Sequence, residues 1–141
     1  MKTYEILQRK GTDVHSISPT AKISDVVAKL VEHNCGSLLV LENRRLVGII
    51  TERDILRCCA HDDRPLKDIP VSDKMTRRLV TASPADSVSN VMRLMTTNRV
   101  RHLPIMEGDK LEGVISIGDT VKAQHDELSM ENEYLKTYLQ S

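Results

Sequence analysis

The chain has 141 residues, enough for one domain or two small lobes, and its 20 Lys plus Arg are balanced by 20 Asp plus Glu. Zero formal charge argues against a general nucleic-acid binder, and 40% apolar with 28% charged residues excludes a disordered tail. No apolar run approaches the ~18 residues of a membrane helix, and Met1–Lys10 reads as neither signal nor transit peptide, so a cytoplasmic protein without a membrane partner is expected.

In chain order, residues 1–13 come first as an N-terminal segment, and the unit that follows opens with a short extended piece before Ser18-Pro19. An amphipathic helix follows, with Pro19 expected near its first turn. Ile23, Val26, Val27, Leu30 and Val31 take the i, i+3, i+4, i+7, i+8 places of its buried face, and Asn34 closes it. Two short apolar runs, Ser37–Leu41 and Leu46–Ile50, flank a turn at Glu42–Arg45. The second run leads straight into a helix starting near Thr51. After a linker containing Pro65 and Pro70, the same order returns: Ser83-Pro84, a helix through Val88, Val91, Met92 and Met95 closed by Asn98, then runs at His102–Met106 and Leu111–Ile115 and a helix near Ser116. The tail from Asp119 to Ser141 reads as one long helix with Val121, Leu128 and Leu135 at heptad spacing and Tyr138 and Leu139 near the same face. A stripe this narrow needs a partner, either the chain's own N-terminal segment or a second copy of the chain, and the second copy is the expected one.

The return is an internal repeat. Sliding the chain by 65 positions lays Val14–Leu56 over Leu79–Val121 without a gap, matching Ser18-Pro19 to Ser83-Pro84, Gly48 to Gly113, Ile50 to Ile115 and Asp54 to Asp119. The expected division is therefore repeats over 14–60 and 79–124, a linker over 61–78 and a C-terminal helix over 125–141. Each β-α-β-β-α unit is too small to cover its sheet alone. The fold class is α+β, with two such units packed sheet to sheet about a pseudo-twofold axis.

Both copies place Gly-h-h-[Ser/Thr]-x-x-Asp, with h an apolar residue, at the strand-to-helix junction: Gly48 to Asp54 and Gly113 to Asp119. The pattern reads two ways. Thr51 with Asp54, or Ser116 with Asp119, forms a capping box. The same hydroxyl and helix N-terminus can also hold phosphate, while the carboxylate accepts from a ribose diol.

The duplicated unit resembles a tandem pair of cystathionine β-synthase (CBS) domains, a Bateman module, of the stand-alone bacterial type. Ile6-Leu7-Gln8-Arg9-Lys10-Gly11, Arg99-Val100-Arg101-His102-Leu103-Pro104 and Ser116-Ile117-Gly118-Asp119 are flanking pieces shared with that family. The resemblance implies no required cofactor and binding of adenosine-containing ligands (AMP, ADP, ATP, NAD(H) or S-adenosylmethionine) in two clefts between the repeats. One cleft would use Ser116 and Asp119 with Ser16, Ser18, Cys35, Gly36 and Ser37. The other would use Thr51 and Asp54 with Thr81, Ser83, Val100, Arg101 and His102. Arg53 and Gly118 occupy the same motif position in the two copies, so the clefts are expected to differ.

Lys74 to Arg101 carries six cations against the single acid Asp86. It reads as a solvated surface or, through Arg101 and His102, as a phosphate clamp. Cys35, Cys58 and Cys59 lack Cys-x-x-Cys spacing and read as reduced thiols. Cys58, Cys59 and His61 have no fourth ligand spaced to complete a zinc site. With no Phe or Trp, Met75, Met92, Met95 and Met106 are expected as core filler, and no aromatic row exists to stack single-stranded bases. His15, His33 and His125 form no evident arrangement. With no nucleophile–base pair in view, the expectation is a non-catalytic ligand sensor, dimeric, whose ligand-linked change is read by a partner protein or by the homodimer itself. The rivals are an interaction module with unoccupied clefts and a redox protein acting through Cys58 and Cys59.

Overall fold

A computed structural model describes residues 1–140. The elements run α1 (Thr3–Lys10), β1 (Ser16–Ile17), α2 (Ile23–His33), β2 (Ser37–Glu42), β3 (Arg45–Thr51) and α3 (Glu52–His61). A 3-10 turn (Leu66–Asp68) and the short α4 (Val71–Lys74) follow, then α5 (Val88–Asn98), β4 (His102–Glu107), β5 (Lys110–Ser116) and α6 (Ile117–Gln140). The fold is α+β, as the repeat implied. Among the described residues no helix is long and apolar enough to cross a membrane.

Contacts divide the chain into two compact units. The first is Asp13–Leu79; the second joins Met1–Thr12 to Val80–Ser141. This differs from the division drawn from the repeat. The stretch taken as a linker belongs to the first unit, and the N-terminal segment is built into the second.

The hydrogen bonds show how. In the first unit Ile23 N–H donates to the Ile69 carbonyl and Val71 N–H to that of Ala21, at 2.9 and 2.8 Å. In the second, Val88 N–H donates to the Met1 carbonyl and Thr3 N–H to that of Asp86, at 3.0 and 2.9 Å. Each repeat helix thus starts against a segment from outside its own repeat. These additions also complete the cores: Ile69, Val71 and Met75 join Ile23, Val26, Leu38, Val40 and Ile50, while Ile6 and Leu7 join Val88, Val91, Met95, Leu103, Ile105 and Ile115.

The glycines matched by the repeat are required by this crossing. A Cβ on Gly48 would lie 2.9 Å from Met75 Sδ and 3.0 Å from the Thr76 carbonyl; one on Gly113 would lie 2.8 Å from a Leu7 methyl.

In the first unit β1 runs parallel to β2, which pairs antiparallel with β3. In the second β4 and β5 pair alone, and a parallel bridge from Ala82 to Ile105 stands where β1 stands in the first. The register of β4 and β5 repeats that of β2 and β3, including a shift between Val40/Leu41 and between Ile105/Met106. Asn43 and Arg44, both at positive φ, make the two-residue hairpin turn of the first unit.

Three local expectations are corrected. Pro19 and Pro84 do not open the helices; α2 and α5 are capped at Lys22 and Ser87, because Ser18-Pro19 and Ser83-Pro84 first form turns closed by Ala21 N–H and Asp86 N–H. Asn34 does end α2 in the left-handed conformation, but Arg99, not Asn98, takes that place after α5. Val31 is not in the core: it is 77% exposed, since the buried face of α2 consists of Ile23, Val26 and Leu30. Of the four methionines, Met75 and Met95 are buried, Met92 packs at the core edge and Met106 is half-buried.

The tail helix begins at Ile117 and runs unbroken through the expected boundary at 125. At about 1.5 Å per residue its 24 residues span ~36 Å. Thr120 and Ala123 are buried, whereas every described residue from Leu128 onward is exposed.

Candidate functional site

Both [Ser/Thr]-x-x-Asp motifs sit where the last strand of each unit turns into a helix. In the first unit the Asp54 carboxylate accepts from Thr51 N–H at 3.0 Å and from the Thr51 hydroxyl at 3.2 Å, and Asp54 N–H donates to Thr51 Oγ1 at 3.3 Å. In the second, Asp119 Oδ2 accepts from Ser116 N–H at 2.8 Å and Asp119 N–H donates to Ser116 Oγ at 3.2 Å. Each is a reciprocal capping box. A further bond in each unit ties the helix start to its sheet: Glu52 N–H donates to the Gly36 carbonyl at 3.0 Å and Ile117 N–H to the Arg101 carbonyl at 2.8 Å.

The junctions differ in what reaches the carboxylate. Thr76, carried in by the segment after α4, bridges to Ile49 and sets its hydroxyl 3.2 and 3.4 Å from the two Asp54 oxygens. Asp54 is buried and both its oxygens are engaged. Asp119 is instead met by Lys10, the last residue of α1. The ammonium donates to Asp119 Oδ2 at 2.6 Å and to the Val114 carbonyl at 2.9 Å. Burial pushes the Asp119 carboxyl up, but the hydrogen bonds from Lys10 and Ser116 and the charge of Lys10 outweigh it and hold it below its ordinary value. Asp119 Oδ1 has no hydrogen-bond partner among the described residues.

Of the remaining expected residues, Ser37 and His102 stand beside a junction, and the others are held within their own units. Ser37 pairs with Thr51 in register, with Cys35 and Gly36 just before it, and Arg53 is exposed on the first turn of α3. Ser16 lies in β1, its carbonyl held by Lys29 Nζ at 2.7 Å, and the Ser18 hydroxyl bonds Thr20. In the second unit His102 pairs with Ser116 in register, preceded by half-buried Val100 and exposed Arg101. Thr81 is exposed, Ser83 Oγ accepts from Ala85 N–H at 3.2 Å, and a Cβ on Gly118 would lie 3.6 Å from Ser116 Oγ. Lys10 and Thr76 were not among the expected site residues, because both lie outside the motif and in segments the repeat leaves unassigned.

Residues 5–61 and 66–126 match the CBS domain family. The chain is a tandem pair of CBS domains. The mitochondrial CBS domain-containing protein CBSX3 of Arabidopsis thaliana is 40% identical over 123 residues, which are 84% of this chain and 60% of that protein. This CBS pair therefore spans less than two thirds of that relative. A crystal structure of a CBS-domain-containing protein from Agrobacterium tumefaciens is 34% identical, with a TM-score of 0.84 over 88% of this chain and 99% of that one. A hexameric CBS-CP12 protein from bloom-forming cyanobacteria is 28% identical, with a TM-score of 0.74 over 86% of this chain and 66% of that one.

Other chemistry-bearing side chains of the CBS pair lie apart from the motifs. Burial pushes the Cys58 thiol above its ordinary value, against the weaker opposing charge of Lys74, while Cys59 beside it is exposed. Asp62, after α3, is held far below the ordinary carboxylate range by Arg64 at 2.8 Å and Lys74 at 3.0 Å, a cluster that ties α3 to α4. His15 and His33 stack with ring centroids 4.0 Å apart. No motif spacing signals that pair, since β1 and α2 bring it together.

Proposed function

We propose that this CBS pair is a non-catalytic regulatory module that binds an adenosine-containing ligand, with the Ser116–Asp119 junction as its principal site. The candidate ligands are AMP, ATP, NAD(H) and S-adenosylmethionine. The observation that carries the reading is the uncommitted chemistry at this junction. Asp119 Oδ1 is open to accept, and the Ser116 hydroxyl lies beside it, accepting from Asp119 N–H. An open carboxylate oxygen beside a hydroxyl on the first turn of a helix suits the sugar and phosphate of a nucleotide.

The same junction caps α6, whose far half carries exposed Leu128, Leu135 and Leu139. Ligand held at the cap stabilises the start of the helix that a second copy of the chain, or a partner protein, contacts at its end. Binding and association are then linked, each strengthening the other. The hexameric cyanobacterial relative supports self-association as a habit of such modules.

A second reading is favoured at the other junction. With Asp54 buried and both oxygens engaged, the Thr51–Asp54 motif acts as a structural cap without ligand.

Thermal-shift measurements with AMP, ATP, NAD, NADH and S-adenosylmethionine test the proposal. A ligand at about 100 times its Kd adds roughly 2.7 kcal/mol of stability, raising Tm by several degrees. Asp119→Asn should remove most of that shift. If no adenosine compound at millimolar concentration moves the transition, the sensor reading fails.

A further inference from the structure

Lys10 and Met75 occupy the same place when the chain is slid by 65 positions, yet they do opposite things. Met75 is buried in the core of the first unit, and a neutral Thr76 hydroxyl meets Asp54. Lys10 stays 31% exposed and lays its ammonium on Asp119. The two capping boxes therefore carry different charge. The Asp119–Lys10 pair sums to zero, whereas Asp54 has no ion-pair partner among the described residues.

We propose that Lys10 is a specificity-determining residue that makes the Ser116–Asp119 junction select a 5′-phosphorylated nucleoside over the uncharged nucleoside. The proposal rests on reading that junction as the ligand site. A carboxylate that accepts from the ribose diol stands only a few ångström from the 5′-phosphate of the same sugar. Bare, it repels the phosphate; at an effective dielectric of about 20 that repulsion is worth tenfold or more in Kd. Lys10 holds only Oδ2, so it compensates the charge while leaving Oδ1 for the sugar. Its second anchor, the Val114 carbonyl, keeps the ammonium at the end of β5. Selectivity is thus supplied by α1, a segment outside the repeat, and not by the motif the two units share.

Calorimetry with AMP and adenosine on the full chain tests this, using wild type, Lys10→Met, Lys10→Arg and Asp119→Asn, each first checked by its melting curve. The quantity read is the AMP-to-adenosine affinity ratio at the site that Asp119→Asn weakens. Lys10→Met should lower the ratio about tenfold by weakening AMP while leaving adenosine unchanged or tighter. Lys10→Arg should restore it, and the AMP preference of wild type should fall with added salt. An unchanged ratio in Lys10→Met, or equal weakening of both ligands, overturns the role of Lys10 while leaving the site standing. If wild type binds neither probe, or Asp119→Asn alters neither affinity, the site reading itself falls and this proposal with it.

Discussion

The two junctions share a motif and a capping box and differ in everything that arrives from outside the repeat. At the first, the chain after α4 brings the Thr76 backbone and hydroxyl against β3, and Asp54 is buried with both oxygens satisfied. At the second, α1 brings Lys10, and Asp119 remains partly exposed with one oxygen open. Duplication thus produced two copies of one helix cap. The flanking segments then made one a structural element and left the other open to chemistry.

The largest effect that can break this comparison lies at the glycines where those segments cross. Gly48→Ala pushes a methyl onto Met75 and the Thr76 carbonyl, and the backbone oxygen cannot swing away. Gly113→Ala meets only a Leu7 methyl, which can rotate. Overpacking of this kind costs about 1–3 kcal/mol, with Gly48→Ala expected at the top of that range and Gly113→Ala at the bottom. Equal losses in urea denaturation would mean that both crossings are equally soft.

Next come the carboxylates. Asp54→Asn disturbs a buried acceptor of three donors and should lose roughly 1–3 kcal/mol of fold stability. Asp119→Asn, at a partly exposed cap, should lose only about 0.3–1 kcal/mol, yet it is the variant expected to weaken ligand. Stability without ligand and affinity with it, measured on the same preparations, should rank the two substitutions in opposite orders. If both rankings agree, the assignment of one junction to structure and the other to binding is wrong.

Much of this fold could be read from residues alone. The short continuous apolar runs, the helical spacing and the 65-residue offset placed β2 through α3 and β4 through α6. Both Gly-h-h-[Ser/Thr]-x-x-Asp motifs stand at strand-to-helix turns. What escaped is what the repeat does not encode. Thr3–Lys10 and Val71–Lys74 are too short for a clear helical period, and neither sequence says which unit will take it in. Hence Ile6, Leu7, Ile69 and Val71 were missed as core residues, and Lys10 and Thr76 as partners of the motif. Val31 was misplaced because the buried face of α2 is narrower than its apolar stripe.

The two units also differ at their helix ends. In the first, α3 stops at His61 and is tied down by Asp62 to Arg64 and Lys74; in the second, α6 continues well past Ala123 with no described residue buried beyond it. Removing the residues after Glu127, which spares the ion pairs of Glu127 with the Met1 ammonium and of Asp126 with Arg9, should leave fold stability within about 1 kcal/mol, since surface changes away from the core are small. It should weaken a dimer held by Leu128, Leu135 and Leu139. Light scattering that finds the full chain monomeric at high micromolar concentration would eliminate the dimer and, with it, this role for α6.

The smallest expected effect is a pH signature of Lys10 on Asp119. The folded Asp119 carboxyl is held below its ordinary value, chiefly by the ammonium and the Ser116 N–H acting against burial. A carboxylate whose folded pKa is depressed adds stability that is complete above its unfolded value, about 3.9, and is lost as pH falls through the folded one. Wild type should therefore exceed Asp119→Asn by a few tenths to about 1 kcal/mol at pH 7. The gap should shrink below about pH 4 and close once Asp119 is protonated in both states. Lys10→Met should narrow the same gap at neutral pH, because the cation that depresses the carboxyl is gone. Asp62 is depressed too, but it lies in the first unit and is untouched by either substitution, so differences between variants cancel its share. Urea midpoints measured at pH 7, 5, 4 and 3 read the result. A gap between wild type and Asp119→Asn that persists unchanged to pH 3 would show that the Lys10 contact does not hold in solution.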